Sequence, residues 1–271
     1  MDPYPKDPFL PGNENIEVWR YVAFHKLLWA IKQKKLWLTL LNVFHQRDPF
    51  EASVPLATKD ADVRISSGSG WLAEIFDAWG DEEEAAPLMS PPQGPDFLAR
   101  VSKRRRALLR AAHASCWRSG DESEAMWRLY CPGHDGVAMR TTFAKLRDSV
   151  HDPHTLVSKV EYINYKTEPF KQHVYPYHPA LHKRKAFQHE QEVRVLRFRP
   201  EDFDQAGQDE KFSAEDHIEI DWDPEDVIDR ILVGPQCPVE YVGLFQDTVA
   251  RFSPTLAALV VRSELLEEPS Y

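Results

Sequence analysis

Stretches of period two and stretches of helical period follow one another along this chain without a regular alternation, which limits it to a mixed α+β fold. "EVWRYVAF" (17–24) is rich in aromatic and β-branched residues and predicts a first strand. Phe24, Leu27, Leu28 and Ile31 then recur at helical spacing, and the basic "KQKK" after them suits the negative end of a helix. The same patterns predict strands at "LWLTLLNVF" (36–44), "HASCWRS" (113–119), "GVAMRTTF", "LVSKVEYINY" and "HEQEVRVLRF" (189–198). Helices are expected at "FLARVSKRRRALLRAA" (97–112), "ESEAMWRLY" (122–130) and "VEYVGLFQDTVARF", with "VIDRILVGP" before the last of these and a closing strand in "LAALVVRS". No internal repeat and no βαβ rhythm occurs. The expectation is one α+β domain over 17–263, a proline-rich arm at 1–16 and a tail at 264–271. A variable insertion is expected at 52–97, where "SSGSG", "DEEEAAP" and "SPPQGP" surround the amphipathic "WLAEIFDAW".

Composition narrows the partners. A net charge of -10 argues against a broad phosphate-binding surface and permits a local basic pocket. The three cysteines, Cys116, Cys131 and Cys237, lack metal-type spacing, so neither a disulfide framework nor a zinc site is expected. The acidic, proline-rich start lacks the features of a secretory signal, and no apolar run is long enough to span a bilayer. A cytoplasmic protein without membrane contact is the expectation.

Five stretches carry candidate chemistry. In a strand at 189–198, Glu190, Glu192 and Arg194 would share a face, the two carboxylates about 7 Å apart. Such a row is either a solvated ion-paired face or the wall of a cleft that orients a ribose hydroxyl, stabilises a cationic sugar, holds a metal or acts as a general base. In "WRY", Arg20 between Trp19 and Tyr21 can clamp a phosphate while a ring stacks on a base, or Trp19 and Tyr21 pack in the core. "RDPFE" (47–51) predicts a turn, and Asp48 and Glu51 could join Glu190 and Glu192 in a divalent-metal nuclease site with a base such as Lys185 nearby. In "SCWRS" and "MWRLY", Ser115 is a candidate for a ribose hydroxyl, Cys116 reads as a structural thiol, and Trp127 and Tyr130 share a helix face. "LVGPQ" is a turn, and neither a dinucleotide fingerprint nor a Walker pattern occurs.

Taken in order, "WRY", "LWLT", "DPFE", "SCWRS", "MWRLY", "GVAM", "VEYIN", Lys185 with "EQEVR", and "ILVGP" resemble a bacterial family known as domain of unknown function two-nine-seven-one, over roughly residues 17–263. Members often carry Asn where this chain has Arg47. The succession Arg20, Ser115 and "EQE" also resembles mono-ADP-ribosyltransferases of the arginine, serine, glutamate type. That resemblance implies an ADP-ribosyltransferase-like fold, with a split, mostly antiparallel mixed sheet flanked by helices. It implies NAD as substrate with no metal. Arg20 would hold a phosphate or ribose, Ser115 the ribose-nicotinamide end, Glu192 the oxocarbenium-like transition state and Glu190 the acceptor. Tyr21, Trp117, Trp127, Tyr130 and Arg194 complete the expected cofactor-binding set. The implied activity is cleavage of the nicotinamide-ribose bond and transfer of ADP-ribose to a protein or nucleic-acid acceptor, by association in a toxin or phage-defence setting. The alternatives are the metal nuclease and a non-catalytic binding module.

Overall fold

The computed structural model describes residues 9–55, 95–170 and 176–266, so "WLAEIFDAW" and most of the expected insertion lie outside the described residues, as do 1–8 of the arm and 267–271 of the tail. The chain is α+β, with a mostly antiparallel mixed sheet flanked by helices. β1 (Glu17–Ala23) runs into α1 (Phe24–Gln33), then β2 (Lys35–Leu40) and α2 (Leu41–His45). After α3 (Pro95–Ala111) come β3 (His113–Ser119), α4 (Glu124–Tyr130), β4 (Gly136–Thr142) and α5 (Phe143–Asp148). β5 (Thr155–Lys159), β6 (Glu161–Ile163), β7 (His182–Arg184) and β8 (Glu192–Arg197) follow. The last part holds α6 (Pro200–Gln208), β9 (His217–Asp221), α7 (Pro224–Val227), β10 (Arg230–Val233), α8 (Val242–Ala250), α9 (Pro254–Ala257) and β11 (Val260–Arg262).

β3 is the pivot of the nine-stranded sheet. One edge pairs antiparallel with β8 from His113↔Arg197 to Arg118↔Glu192. The other edge is shared: β1 pairs at Val18↔Ser119 and Trp19↔Arg118, β2 at Thr39↔Ala114 and Leu40↔His113. The two strands therefore diverge, leaving Ser115, Cys116 and Trp117 between them without a partner on that edge. α1 bridges the fork because its apolar stripe faces the sheet, with Leu27 and Ile31 buried among Val18, Leu36, Leu38, Trp117, Val193 and Val195. We call this the inner face. The outer face carries two separate apolar clusters, one around Trp19, Tyr21, Met126 and Trp127, the other around Leu41, Leu108, Ala114, Tyr177 and Leu196.

Several expected elements end early. The strand expected at 36–44 stops at Leu40, where the chain turns into α2. "LVSKVEYINY" breaks at Val160, so that β5 joins the main sheet while β6 pairs in parallel with β7. In "LAALVVRS" only Val260–Arg262 is strand; Leu256 and Ala257 are the end of α9, started by Ser253, whose hydroxyl accepts from the Leu256 N–H. The stretch at 189–198 is a strand only from Glu192; Lys185–Glu190 forms a 3-10 helix and Gln191 takes a left-handed conformation at φ 41°.

One close approach is testable. A Cβ at Gly136 would stand 2.4 Å from the Cβ of Cys131, which must give way. Gly136→Ala is expected to cost about 1–3 kcal/mol in urea unfolding. Gly207→Ala, with nothing within 4 Å and a helical position, is expected to be neutral or stabilising.

Candidate functional site

Strand alternation sends Val193 and Val195 to the inner face and Glu192, Arg194 and Leu196 to the outer one. There Glu192 and Arg194 are buried between the two outer apolar clusters, in a setting where unpaired charges would be prohibitively costly. The charges are paired in series. The Arg194 guanidinium makes a two-pronged bond to Glu51, with Nη1 to Oε1 at 2.5 Å and Nη2 to Oε2 at 3.0 Å. Its Nε reaches Glu192 Oε1 at 2.7 Å. Lys183 Nζ lies 2.7 Å from Glu192 and 2.6 Å from Glu190. The Tyr130 hydroxyl donates to Glu190 at 3.0 Å, and the Tyr162 hydroxyl accepts from the Glu192 N–H at 2.8 Å.

The turn read in "RDPFE" is present and serves this chain of charges. Asp48 Oδ1 accepts from the Phe50 N–H at 3.0 Å and from Arg184 at 2.6 Å, which presents Glu51 to Arg194. Arg105 of α3 donates to the Glu51 and Pro49 carbonyls and fixes the loop from behind. Arg184 in turn lies 4.5 Å from the Phe50 ring centroid and 5.3 Å from that of Phe187.

The coupling sets the protonation states. Burial alone would raise the Glu192 pKa, but Arg194 and Lys183 outweigh it and hold the carboxyl at about 2. Burial likewise opposes charge on Lys183 and Arg194, and the carboxylates around them raise both above their ordinary values. Burial and then Glu192 push the Cys116 thiol well up, which favours its protonated form beside that carboxylate.

The expected set of site residues divides. Tyr130, Glu190, Glu192 and Arg194 meet in the network, but not as a strand row: the left-handed Gln191 takes Glu190 off the strand, and both acids converge on Lys183. Arg194 is fully buried and bonded to Glu51, Glu192 and the Ala180 carbonyl, which leaves no fork for a cofactor. Tyr21 and Trp127 pack edge to face at 5.0 Å in an outer apolar cluster. Tyr21 accepts from the Ser123 N–H and Trp127 donates to Glu122, so both are core residues with satisfied polar ends. Trp117 is core on the inner face. Arg20, Ser115 and Glu192 stand on the adjacent strands β1, β3 and β8, yet they do not surround one cavity. Ser115 alternates with Cys116 and shares the inner face with Trp117, whose ring centroid lies 5.8 Å from the Arg20 guanidinium, whereas Glu192 is on the outer face.

Lys183 is the residue that sequence reasoning missed. The expected Lys185 pairs instead with Glu168 at the surface. Lys183 reaches the acids because β7 lies beside β6, with Tyr162 opposite Lys183, a parallel pairing no local pattern announces. Asp48, Glu51, Glu190 and Glu192 each already carry an internal cation: Arg184, Arg194, Lys183, and Arg194 with Lys183, respectively. Among the described residues no group of three or more His, Cys, Asp and Glu is placed to hold a metal ion.

The network is open at one end. Cys116 sits on the pivotal strand yet keeps partial exposure, and Tyr130 is 43% exposed, so this end of the network reaches the surface. Cavities of about 590 and 510 Å3 lie elsewhere, beside β9 and residues 148–152. Lys35 pairs with Asp221 there and Lys34 with Asp223. Among the described residues no helix is long and apolar enough to cross a membrane.

Comparison with curated proteins gives no match, and comparison with solved structures gives none either. Residues 126–195 match a family described as "Protein of unknown function (DUF2971)", a narrower span than the resemblance over 17–263, leaving Arg20, Asp48, Glu51 and Ser115 outside it. The matched segment, residues 126–195, is similar to that family and holds Tyr130, Tyr162, Lys183, Glu190, Glu192 and Arg194 of the buried network.

Proposed function

We propose that the outer face beside Tyr130 and Glu190 binds NAD, that its nicotinamide-ribose bond is cleaved there, and that ADP-ribose passes to a protein or nucleic-acid acceptor, with Glu190 as the catalytic carboxylate. The observation that carries this reading is the placement of Glu190. Of the four acids it keeps the most solvent contact, 11% of its side chain against 6% for Asp48, 3% for Glu192 and 1% for Glu51. One of its oxygens is held by the Tyr130 hydroxyl and the other by Lys183 Nζ, so it is oriented before any ligand arrives.

Breaking the C–N bond leaves its electron pair on nicotinamide and develops positive charge on the ribose. A fixed carboxylate stabilises that charge without having to reorganise. The acceptor's nucleophilic atom then bonds the ribose carbon and releases a proton. The role that the sequence resemblance gives to Glu192 passes to Glu190, because Glu192 is spent on Arg194 and Lys183. The mostly antiparallel mixed sheet that splits at β3 supports an ADP-ribosyltransferase-like arrangement of the fold.

Nicotinamide release from NAD tests the reading. The wild type is expected to exceed buffer, and Glu190→Gln to lose about 100-fold or more, with thermal stability close to wild type because Lys183 keeps Glu192. Equal release from the two proteins, or none from either, sinks the chemistry. A NAD-dependent rise in Tm with no release would leave a binding module.

A further inference from the structure

We propose that the fork between β1 and β2 is a binding site for a small oxyanion, a phosphate group, held by the Arg20 guanidinium and the Cys116 backbone N–H. This site is independent of the Glu190 reading. Arg20 has no carboxylate partner among the described residues; its one hydrogen bond runs from Nη2 to the Trp37 carbonyl across the fork at 3.2 Å. A guanidinium so closely surrounded by protein is costly unless an anion or several acceptors meet it, and here burial lowers its pKa to about 10.

The backbone adds a second donor. On β3, Gly120 donates to the Glu17 carbonyl and the Ala112 carbonyl accepts from Leu41, so even-numbered residues point toward the β1 and β2 edge. Ser119 donates to Gln191 on the opposite edge. Cys116 therefore aims its N–H into the fork, after β1 pairing has ended at Arg118 and before β2 pairing begins at Ala114. Two polar side chains on the inner face beside Arg20 are also unanswered: Trp117 Nε1 and Ser115 Oγ are buried without a hydrogen-bond partner, in residues only 2% exposed. Arg20 is deep yet partly exposed, which gives an anion a way in. A planar guanidinium beside an N–H and an indole N–H is a donor set suited to phosphate oxygens.

The test uses the full chain in phosphate-free buffer, with inorganic phosphate and AMP compared against chloride at equal ionic strength, by calorimetry and thermal unfolding. The wild type is expected to bind phosphate and gain Tm. Arg20→Met is expected to weaken binding at least tenfold while its Tm without phosphate equals or exceeds that of the wild type, because an unneutralised charge has gone. Arg20→Lys keeps the charge without the fork and falls between. Tighter binding of AMP than of free phosphate assigns the site to a nucleotide's phosphate, and the reverse to the free ion. Phosphate indistinguishable from chloride overturns the proposal, as does Arg20→Met that is destabilised yet still binds phosphate. Were Arg20→Met not to fold, the wild-type and Arg20→Lys titrations decide alone. Loss of phosphate binding and loss of nicotinamide release are separate readouts, so either proposal can fail without the other.

Discussion

Arg194→Ala is expected to destabilise the protein by about 3–5 kcal/mol, the range for removing one member of a buried ion pair. The substitution leaves Glu51 and Glu192, 1% and 3% exposed, facing each other without their shared guanidinium. It also strips a donor from the Ala180 carbonyl and opens a hole between α2 and the sheet. In thermal unfolding the loss corresponds to a fall in Tm of roughly 10 °C. The control is the triple replacement Arg194→Met, Glu51→Leu and Glu192→Leu, which removes the charges together and is expected to recover most of the stability. Urea unfolding of the three proteins decides it. A loss under about 1 kcal/mol for Arg194→Ala would mean that water reaches the acids, as at a surface pair.

Acid stability follows from Glu192. Its folded pKa of about 2 lies below the ordinary 4.5, so its ion pairs contribute fully above pH 4.5 and are lost as pH falls toward 2. The shift is on the order of 3 kcal/mol. Lys183 has the opposite sign: its raised pKa gives a contribution complete below pH 10.5 and lost as pH rises beyond its folded value. Unfolding free energy measured from pH 6 to pH 2.5 should fall steeply in the wild type and more gently in Glu192→Gln, whose side chain does not titrate. Parallel curves would show that other carboxyls govern the acid limb.

The sequence by itself determined the element types and the fold class, because periodicity is local. Phe24, Leu27, Leu28 and Ile31 make one helix face whatever they pack against, and "HASCWRS" alternates as a strand from His113 to Ser119. The conspicuous acids and the DPFE turn were also visible, since charge and turn chemistry need no tertiary context. Only the tertiary structure decided how these residues combine. Lys183 rather than Lys185 meets the acids because β7 pairs with β6, and Glu190 leaves the strand through one left-handed residue. Arg20 and Ser115 face away from Glu192 because a side chain's face depends on strand register, and a shift of one residue reverses it. Register is fixed by partners distant in the chain, here across the fork at β3, and no pattern within a single strand records it.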